Sequence, residues 1–202
     1  MRAWTVLALV YAGLGAAAVA LAEALGRPSA FRHPDPWLPL DGATPHVYGI
    51  ALGVALAAAV IVGTRWSVRR LAGARALHDA LRPFARAMGG PAILLLAVTS
   101  AVGEELVFRG VLLPWIGLVP QALVFGLLHR VPGAGGWLWT VWAGAMGIAL
   151  GALYALTGSL WGPVVAHALV NAVNLAFLRD HDPHALERTG PGLLRLPRHG
   201  AR

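Results

Sequence analysis

Ionisable and amide side chains interrupt three apolar stretches of this sequence at helical spacings. The stretches contain the segments GEELVFRG, FGLLH and HALVN, and the polar residues in and just after them are Glu104, Glu105, Arg109, His129, His167, Asn171 and Asn174. An ionisable group at membrane depth costs at least ~2.5 kcal/mol on insertion scales, so it persists mainly beside a partner or a cavity. Carboxylate, imidazole and amide groups around a water-filled pocket can together catalyse hydrolysis by an activated water.

The two neighbouring glutamates differ in their helical partners. Glu105 and Arg109 are four residues apart on one helix face, in the favoured order of acid before base, which predicts a buried ion pair with a structural role. Glu104 is rotated by about 100° and has no local counter-charge. Apolar surroundings favour protonation of such a carboxyl, so Glu104 is the candidate general base or acid.

A count of helical rise predicts that the three motifs meet at one depth. At ~1.5 Å per residue, Glu104 and His167 both lie ~10 Å below the outer surface of a ~30 Å hydrocarbon core, and His129 lies ~16 Å deep. Glu104 with His129 could then activate a water that attacks a peptide carbonyl, while His167 and Asn171 donate hydrogen bonds to the oxyanion. Asn174 continues the polar stripe of that helix.

The same side chains leave a second chemistry open. Glu104, His129 and His167 could instead hold a divalent metal such as Zn²⁺ and activate its bound water, and the sequence does not choose between a metal site and a metal-free one. Other hydrolase arrangements fit worse. The chain has no Cys, no H-E-x-x-H, no G-x-S-x-G, and no Asp in any predicted spanning helix.

The composition predicts that a membrane helix bundle positions these residues. Of the 202 residues, 57% are hydrophobic and 12% charged, and the mean hydropathy is +0.66. These values indicate an all-α polytopic membrane protein. Five stretches are long enough to span and a shorter one, the fourth in order, makes about six: Trp4–Leu25, Val47–Trp66, Pro91–Leu113, Leu118–His129, Trp137–Leu156 and Leu160–Leu178.

The basic residues orient this layout. All 16 are Arg, and a six-helix arrangement puts 13 of them on one side, including six between Arg65 and Arg86. The positive-inside rule makes that side cytoplasmic, with both termini. The net charge of +7 is thus explained by topology and anionic lipid, without a nucleic acid partner. A re-entrant fourth segment would invert the later helices.

The chain divides into three regions on this interpretation. Residues 1–90 form two membrane helices and a basic cytoplasmic connector, in which Arg65–Met88 has the arginine spacing of an amphipathic surface helix. Residues 91–178 form a four-helix catalytic core, and residues 179–202 form a basic cytoplasmic tail. The residues between the first two helices, Gly26–Pro45, are expected to form an outer loop.

The three motifs together resemble those of a known family. The segments EELVFR, FGLLH and HALVN are similar to the E-E-x-x-x-R, F-x-x-x-H and H-x-x-x-N motifs of the CAAX protease and bacteriocin-processing (CPBP) family of intramembrane endopeptidases. The resemblance covers roughly Pro91–Leu178. It implies Glu104 as the water-activating carboxylate, His129 as its partner, and His167 with Asn171 at the oxyanion. Glu105, Arg109 and Phe125 would be mainly structural.

The sequence therefore predicts a bacterial inner-membrane endopeptidase that cuts a membrane-associated protein or peptide. The all-Arg, Ala- and Gly-rich composition suggests a bacterium of high genomic GC content. The alternative is a noncatalytic membrane protein, such as a bacteriocin immunity factor or a scaffold, that uses the polar cluster for binding. The substrate, the cleavage site and the oligomeric state are not assigned by the sequence.

Overall fold

The chain forms an all-helical bundle, which confirms the predicted fold class. The computed structural model describes residues 2–27, 29–132 and 135–184. The helices are α1 (Ala3–Ala24), α2 (Thr44–Arg70), α3 (Ala72–Arg86), α4 (Gly90–Glu105), a π-helical segment (Leu106–Leu112), α5 (Leu113–Ile116), α6 (Leu118–Leu128), α7 (Gly136–Thr157) and α8 (Trp161–Asp180). Residues 185–202 of the expected tail lie outside the described residues.

Five helices of the described chain are long and apolar enough to cross a bilayer. They are α1, α2, the continuous run Gly90–Ile116, α7 and α8, and they match the five predicted long spans. The sixth, α6, has only 11 residues and covers ~16 Å at 1.5 Å per residue. One face of α6 packs on α7 and α5, whereas its other face leaves aliphatic residues such as Leu123 and Leu128 exposed.

The basic connector differs from its predicted extent. α2 continues as a helix through Arg70, so Arg65, Arg69 and Arg70 belong to its last turns, where cations favour the helix C-terminus. The helical run is interrupted at Leu71, whose backbone is extended, and the amphipathic helix α3 begins only at Ala72. The predicted surface helix is therefore present but shorter than Arg65–Met88.

One end of the bundle, here called the α3 end, collects α3 with the end of α8 and the start of α7. His78 Nε2 lies 3.1 Å from the carbonyl oxygen of His181, just after α8. A Cβ on Gly135, at the start of α7, would lie 3.4 Å from Leu77 of α3. α6 thus returns the chain to the α3 end before α7 begins, so the later helices are not inverted.

The opposite end, the loop end, is closed by the segment between α1 and α2. Its backbone pairs with the turn between α7 and α8: His33 N donates to Gly158 O at 3.0 Å, and Leu160 N donates to Phe31 O at 3.1 Å. These bonds satisfy backbone groups that would otherwise be orphaned near the membrane surface.

The helix that carries the glutamates changes register directly after them. Leu106–Leu112 forms π-helical turns. Pro114 has no N–H, so it cannot bond the carbonyl of Gly110 four residues earlier as an α-helix requires. The Arg27 guanidinium from the loop end donates to that carbonyl oxygen instead. A π-helical insertion of this kind is frequent at functional sites.

Closely packed glycines join α2 to α8, which carries His167. A Cβ on Gly53 of α2 would lie 2.3 Å from Gly162 O, so only hydrogen fits there. Small residues allow such backbone contact between membrane helices.

We expect Gly53→Ala to destabilise the bundle, because the added methyl meets rigid backbone and overpacking typically costs about 1–3 kcal/mol. The measurement is the thermal unfolding temperature of the purified protein in detergent. Gly63→Ala is the matched control in α2, since a Cβ there has nothing within 4 Å, and it should unfold like wild type. Equal unfolding temperatures for the two variants would contradict the tight α2–α8 contact.

Candidate active site

The Glu105 carboxylate is the most enclosed charged group of the site. Its Oε1 accepts a hydrogen bond from Arg109 Nη1 at 2.9 Å, which confirms the predicted ion pair, and both side chains are fully buried. His167 Nδ1 lies 2.7 Å from the same oxygen, a contact that the sequence did not predict. A buried charge is tolerated only with such partners, because an unpaired one costs several kcal/mol.

Arg109 links the pair to two further helices. Its Nη2 donates to Gly147 O of α7 at 3.3 Å. Its guanidinium carbon lies 4.6 Å from the centre of the Phe125 ring of α6, at cation–π distance. Phe125 is itself buried and packs edge-on against Phe108 at 4.8 Å. The predicted structural residues thus form one packed unit beneath the catalytic candidates.

Glu104 has a different environment, as its rotation on the helix requires. Its Oε2 lies 3.7 Å from His129 Nε2 and 3.8 Å from His167 Nε2. This oxygen is buried and has no hydrogen-bond partner. Because both separations exceed a direct hydrogen bond, a water on the cavity side, about 2.8 Å from each atom, could bridge them. The structure therefore brings together the carboxylate and both imidazoles.

The partners of the two rings determine what each presents to Glu104. His129 Nδ1 lies 2.7 Å from the carbonyl oxygen of Phe125, which can only accept, so Nδ1 carries the proton. His167 Nδ1 faces the Glu105 oxygen that also accepts from Arg109, so Nδ1 of this ring donates as well. In the neutral state each ring then points an Nε2 lone pair towards Glu104, and a protonated ring points an N–H.

The remaining polar residues of α8 continue towards the α3 end. Asn171 Nδ2 donates to Ser100 Oγ of α4 at 3.2 Å. Asn174 bonds to α2, donating to Thr64 Oγ1 at 3.5 Å and accepting from Arg65 Nη1 at 3.4 Å. Asn171 is thus one helical turn from His167 beside the site, whereas Asn174 joins α8 to α2.

A cavity of about 410 Å³ connects these groups to the α3 end. Glu104, His129, His167 and Asn171 line it at one side, and the apolar face of α3 lines it at the other. Most of the remaining lining is aliphatic or aromatic. Such a cavity could hold an apolar segment with its peptide bond against the polar cluster.

The three residues predicted as possible metal ligands, Glu104, His129 and His167, do not form a complete metal-binding site. Within the described ranges, no group of three or more His, Asp or Glu side chains is arranged to hold a metal ion. Ligand atoms of a tetrahedral zinc site with bonds of about 2.0–2.1 Å lie about 3.4 Å apart. The separations from Glu104 Oε2 to the two Nε2 atoms, 3.7 Å and 3.8 Å, are a few tenths of an ångström longer than that.

Three residues of the site were not identified from the sequence. Tyr11 of α1 lines the cavity beside Glu104. Ser100 lies one turn before Glu104 on the same face, and that spacing could have indicated it. Gln121 of α6 is fully buried and donates to Gly147 O at 3.0 Å, and its amide in an apolar helix was the available signal.

A known protein family matches the central part of the chain. A family model described as "Type II CAAX prenyl endopeptidase Rce1-like" matches residues 87–173. The chain is 35% identical over 105 residues to "Uncharacterized protein YpbD" of Bacillus subtilis, an alignment that covers 48% of this chain and 55% of the relative. The chain therefore spans about half the length of this curated relative. No solved structure matches significantly.

The matched segment contains Glu104, Glu105, Arg109, Phe125, His129, His167 and Asn171. α1, α2 and Asn174 fall outside it. Over residues 87–173 the chain is similar to the Rce1-like family of type II CAAX prenyl endopeptidases, and this match confirms the family resemblance inferred from the three motifs.

Proposed function

We propose that the chain is an intramembrane endopeptidase that hydrolyses a peptide bond of a membrane-associated protein or peptide. One observation carries this proposal: Glu104 Oε2 has no hydrogen-bond partner and faces two imidazole Nε2 atoms at the wall of an apolar cavity. The similarity of residues 87–173 to a family model of CAAX prenyl endopeptidases supports the same class of activity. The mainly apolar lining suits a lipid-anchored or membrane-embedded segment as substrate.

The first step is the addition of water to the peptide carbonyl. A water between Glu104 and His129 gives a proton to the Glu104 carboxylate while the oxygen of that water bonds to the carbonyl carbon of the peptide. The carbonyl oxygen becomes an oxyanion. His129 accepts a hydrogen bond from the same water through Nε2 and so orients its lone pair towards the carbon.

Two donors can stabilise the oxyanion. Asn171 Nδ2 uses one hydrogen for Ser100, and its second hydrogen remains for the substrate. His167 lies between the carboxylates of Glu104 and Glu105, so a doubly protonated ring would donate from Nδ1 to Glu105 and from Nε2 to the oxyanion.

The second step breaks the carbon–nitrogen bond. The tetrahedral intermediate collapses, and protonated Glu104 returns its proton to the leaving amine. The products are an amine and a carboxylic acid, which then loses its proton to water, and Glu104 is ionised again for the next cycle. Glu105 and Arg109 take no part in proton transfer on this scheme, since each is already held by the other.

We place the protein in a bacterial inner membrane with the α3 end in the cytoplasm. Among the described residues, the α3 end carries the arginines of α2 and α3, Arg130 and Arg179, whereas the loop end carries Arg27 and Arg32. This asymmetry is the one that the positive-inside rule describes, and it supports a cytoplasmic location for both the start of α1 and the end of α8.

We expect Glu104→Gln to abolish cleavage, because the amide keeps the shape of the side chain but cannot accept the proton of water. The measurement compares protein termini in the membrane proteome of cells that carry either form at matched expression. Termini that depend on the wild-type protein should be missing with Glu104→Gln. Glu23→Gln is the matched control, because Glu23 is exposed on the last turn of α1.

Wild-type termini in cells with Glu104→Gln would contradict the proposal. Full biological activity of that variant without any dependent termini would favour a noncatalytic binding function.

We expect Arg109→Met to destabilise the folded protein by about 3–5 kcal/mol, because it leaves the Glu105 charge buried without its cation. Adding Glu105→Gln to that variant should restore part of the loss, since the remaining group is neutral. The measurement is thermal unfolding in detergent, and Arg86→Met on the exposed face of α3 is the control. If Arg109→Met unfolded like wild type, the ion pair would not be a structural requirement.

A further inference from the structure

α1 makes its closest approach to the candidate active site at Tyr11. A Cβ on Gly103, next to Glu104, would lie 2.4 Å from Tyr11 O, so the backbones of α1 and α4 touch there. α1 lies outside the segment that the family model matches. The position of Tyr11 is therefore fixed against the catalytic glutamate by packing that the family comparison does not cover.

The Tyr11 side chain takes part in both the helix packing and the cavity wall. Its ring packs on the cluster of Met88, Ala92, Ile93 and Leu96. Tyr11 and Glu104 both line the cavity, and among the described residues that line it Glu104 carries the only carboxylate. A tyrosine hydroxyl in a mainly apolar site usually needs a hydrogen-bond partner.

Glu104 needs such a partner to keep its orientation. Of its two carboxylate oxygens, Oε2 has no hydrogen bond, and no Arg in the described part of the chain pairs with Glu104. A free carboxylate rotates about its terminal torsion, which is broad and two-fold. Rotation would swap the oxygen that faces His129 and His167, so a donor on the other oxygen would hold the reactive geometry.

We propose that Tyr11 is a positioning residue for Glu104: its phenol donates a hydrogen bond to Oε1 and leaves Oε2 for the attacking water. This inference rests on the proposed function. It assigns to α1 a part in positioning the catalytic carboxylate, whereas the sequence analysis predicted only a membrane span for that helix. The phenol acts through Glu104 and moves no proton itself.

The test is turnover by Tyr11→Phe, which removes the hydroxyl and keeps the ring. The substrate is a synthetic peptide that spans a cleavage site found by the terminus comparison, presented to purified protein in lipid vesicles. A hydrogen bond to a charged group contributes ~1.5–3 kcal/mol, so kcat should fall about 10-fold to 100-fold. KM should stay near the wild-type value, because the phenol is proposed to act on Glu104 and the aromatic ring in the cavity wall is kept.

Two controls separate positioning from packing. Tyr48→Phe is the matched substitution, since Tyr48 is 55% exposed on α2, and it should leave kcat unchanged. Tyr11→Phe should remain folded at the assay temperature, as its thermal unfolding curve will show. A wild-type kcat for Tyr11→Phe would overturn the inference, and so would a loss of turnover that only parallels a loss of folded protein.

Glu104→Gln is measured alongside to separate the two proposals. If Glu104→Gln cleaves like wild type, the proposed function fails and the inference fails with it. If Glu104→Gln is inactive while Tyr11→Phe and wild type turn over equally, only the role of Tyr11 is wrong.

Discussion

A single carboxylate oxygen, Oε1 of Glu105, organises the interior of this bundle. It receives both the Arg109 guanidinium at 2.9 Å and the His167 ring at 2.7 Å. Arg109 then reaches α7 through Gly147 O and α6 through the Phe125 ring. A fully buried charge requires this number of partners, so the cost of placing Glu105 in the membrane fixes four helices relative to one another.

This arrangement allows the neighbouring glutamate to remain reactive. Because Glu104 is rotated by about 100° on the same helix, it lies at nearly the same depth as Glu105 but does not share its ion pair with Arg109. His167 contacts both carboxylates through its two nitrogens, so the structural pair also sets the ring that faces the candidate catalytic group. The structural Glu105 and the candidate catalytic Glu104 are thus adjacent in the sequence, and the His167 ring lies between their carboxylates.

The sequence predicted features that depend on local spacing. The long spans, the short α6, and the Glu105–Arg109 pair follow from hydropathy and helical periodicity, and the depth count brought Glu104 near both His129 and His167. The sequence could not predict the contact between His167 and Glu105. Helical periodicity does not determine which ring nitrogen of a residue on another helix will face Glu105. Tyr11 was missed for a related reason. Its importance depends on the approach of α1 to Gly103, and that is a tertiary contact.

The π-helical segment shows the same limit within one helix. Pro114 has no N–H, so the loss of the α-helical hydrogen bond to Gly110 O follows from the sequence. The side chain that donates to this oxygen instead belongs to Arg27, which lies 83 residues earlier in the chain. The extent of α2 was underestimated for a simpler reason. Arginines were assigned to the connector by their charge, although a helix C-terminus accommodates them well.

Chemical labelling of carboxyl groups tests most directly whether the two adjacent glutamates have opposite environments. The folded protein in detergent is treated with a water-soluble carbodiimide and an amine, and labelled residues are identified by mass spectrometry. The account predicts label on Glu104, which lines the cavity, and none on Glu105, with exposed Glu23 as the internal reference. Label on Glu105, or an unreactive Glu104 beside a fully labelled Glu23, would contradict it.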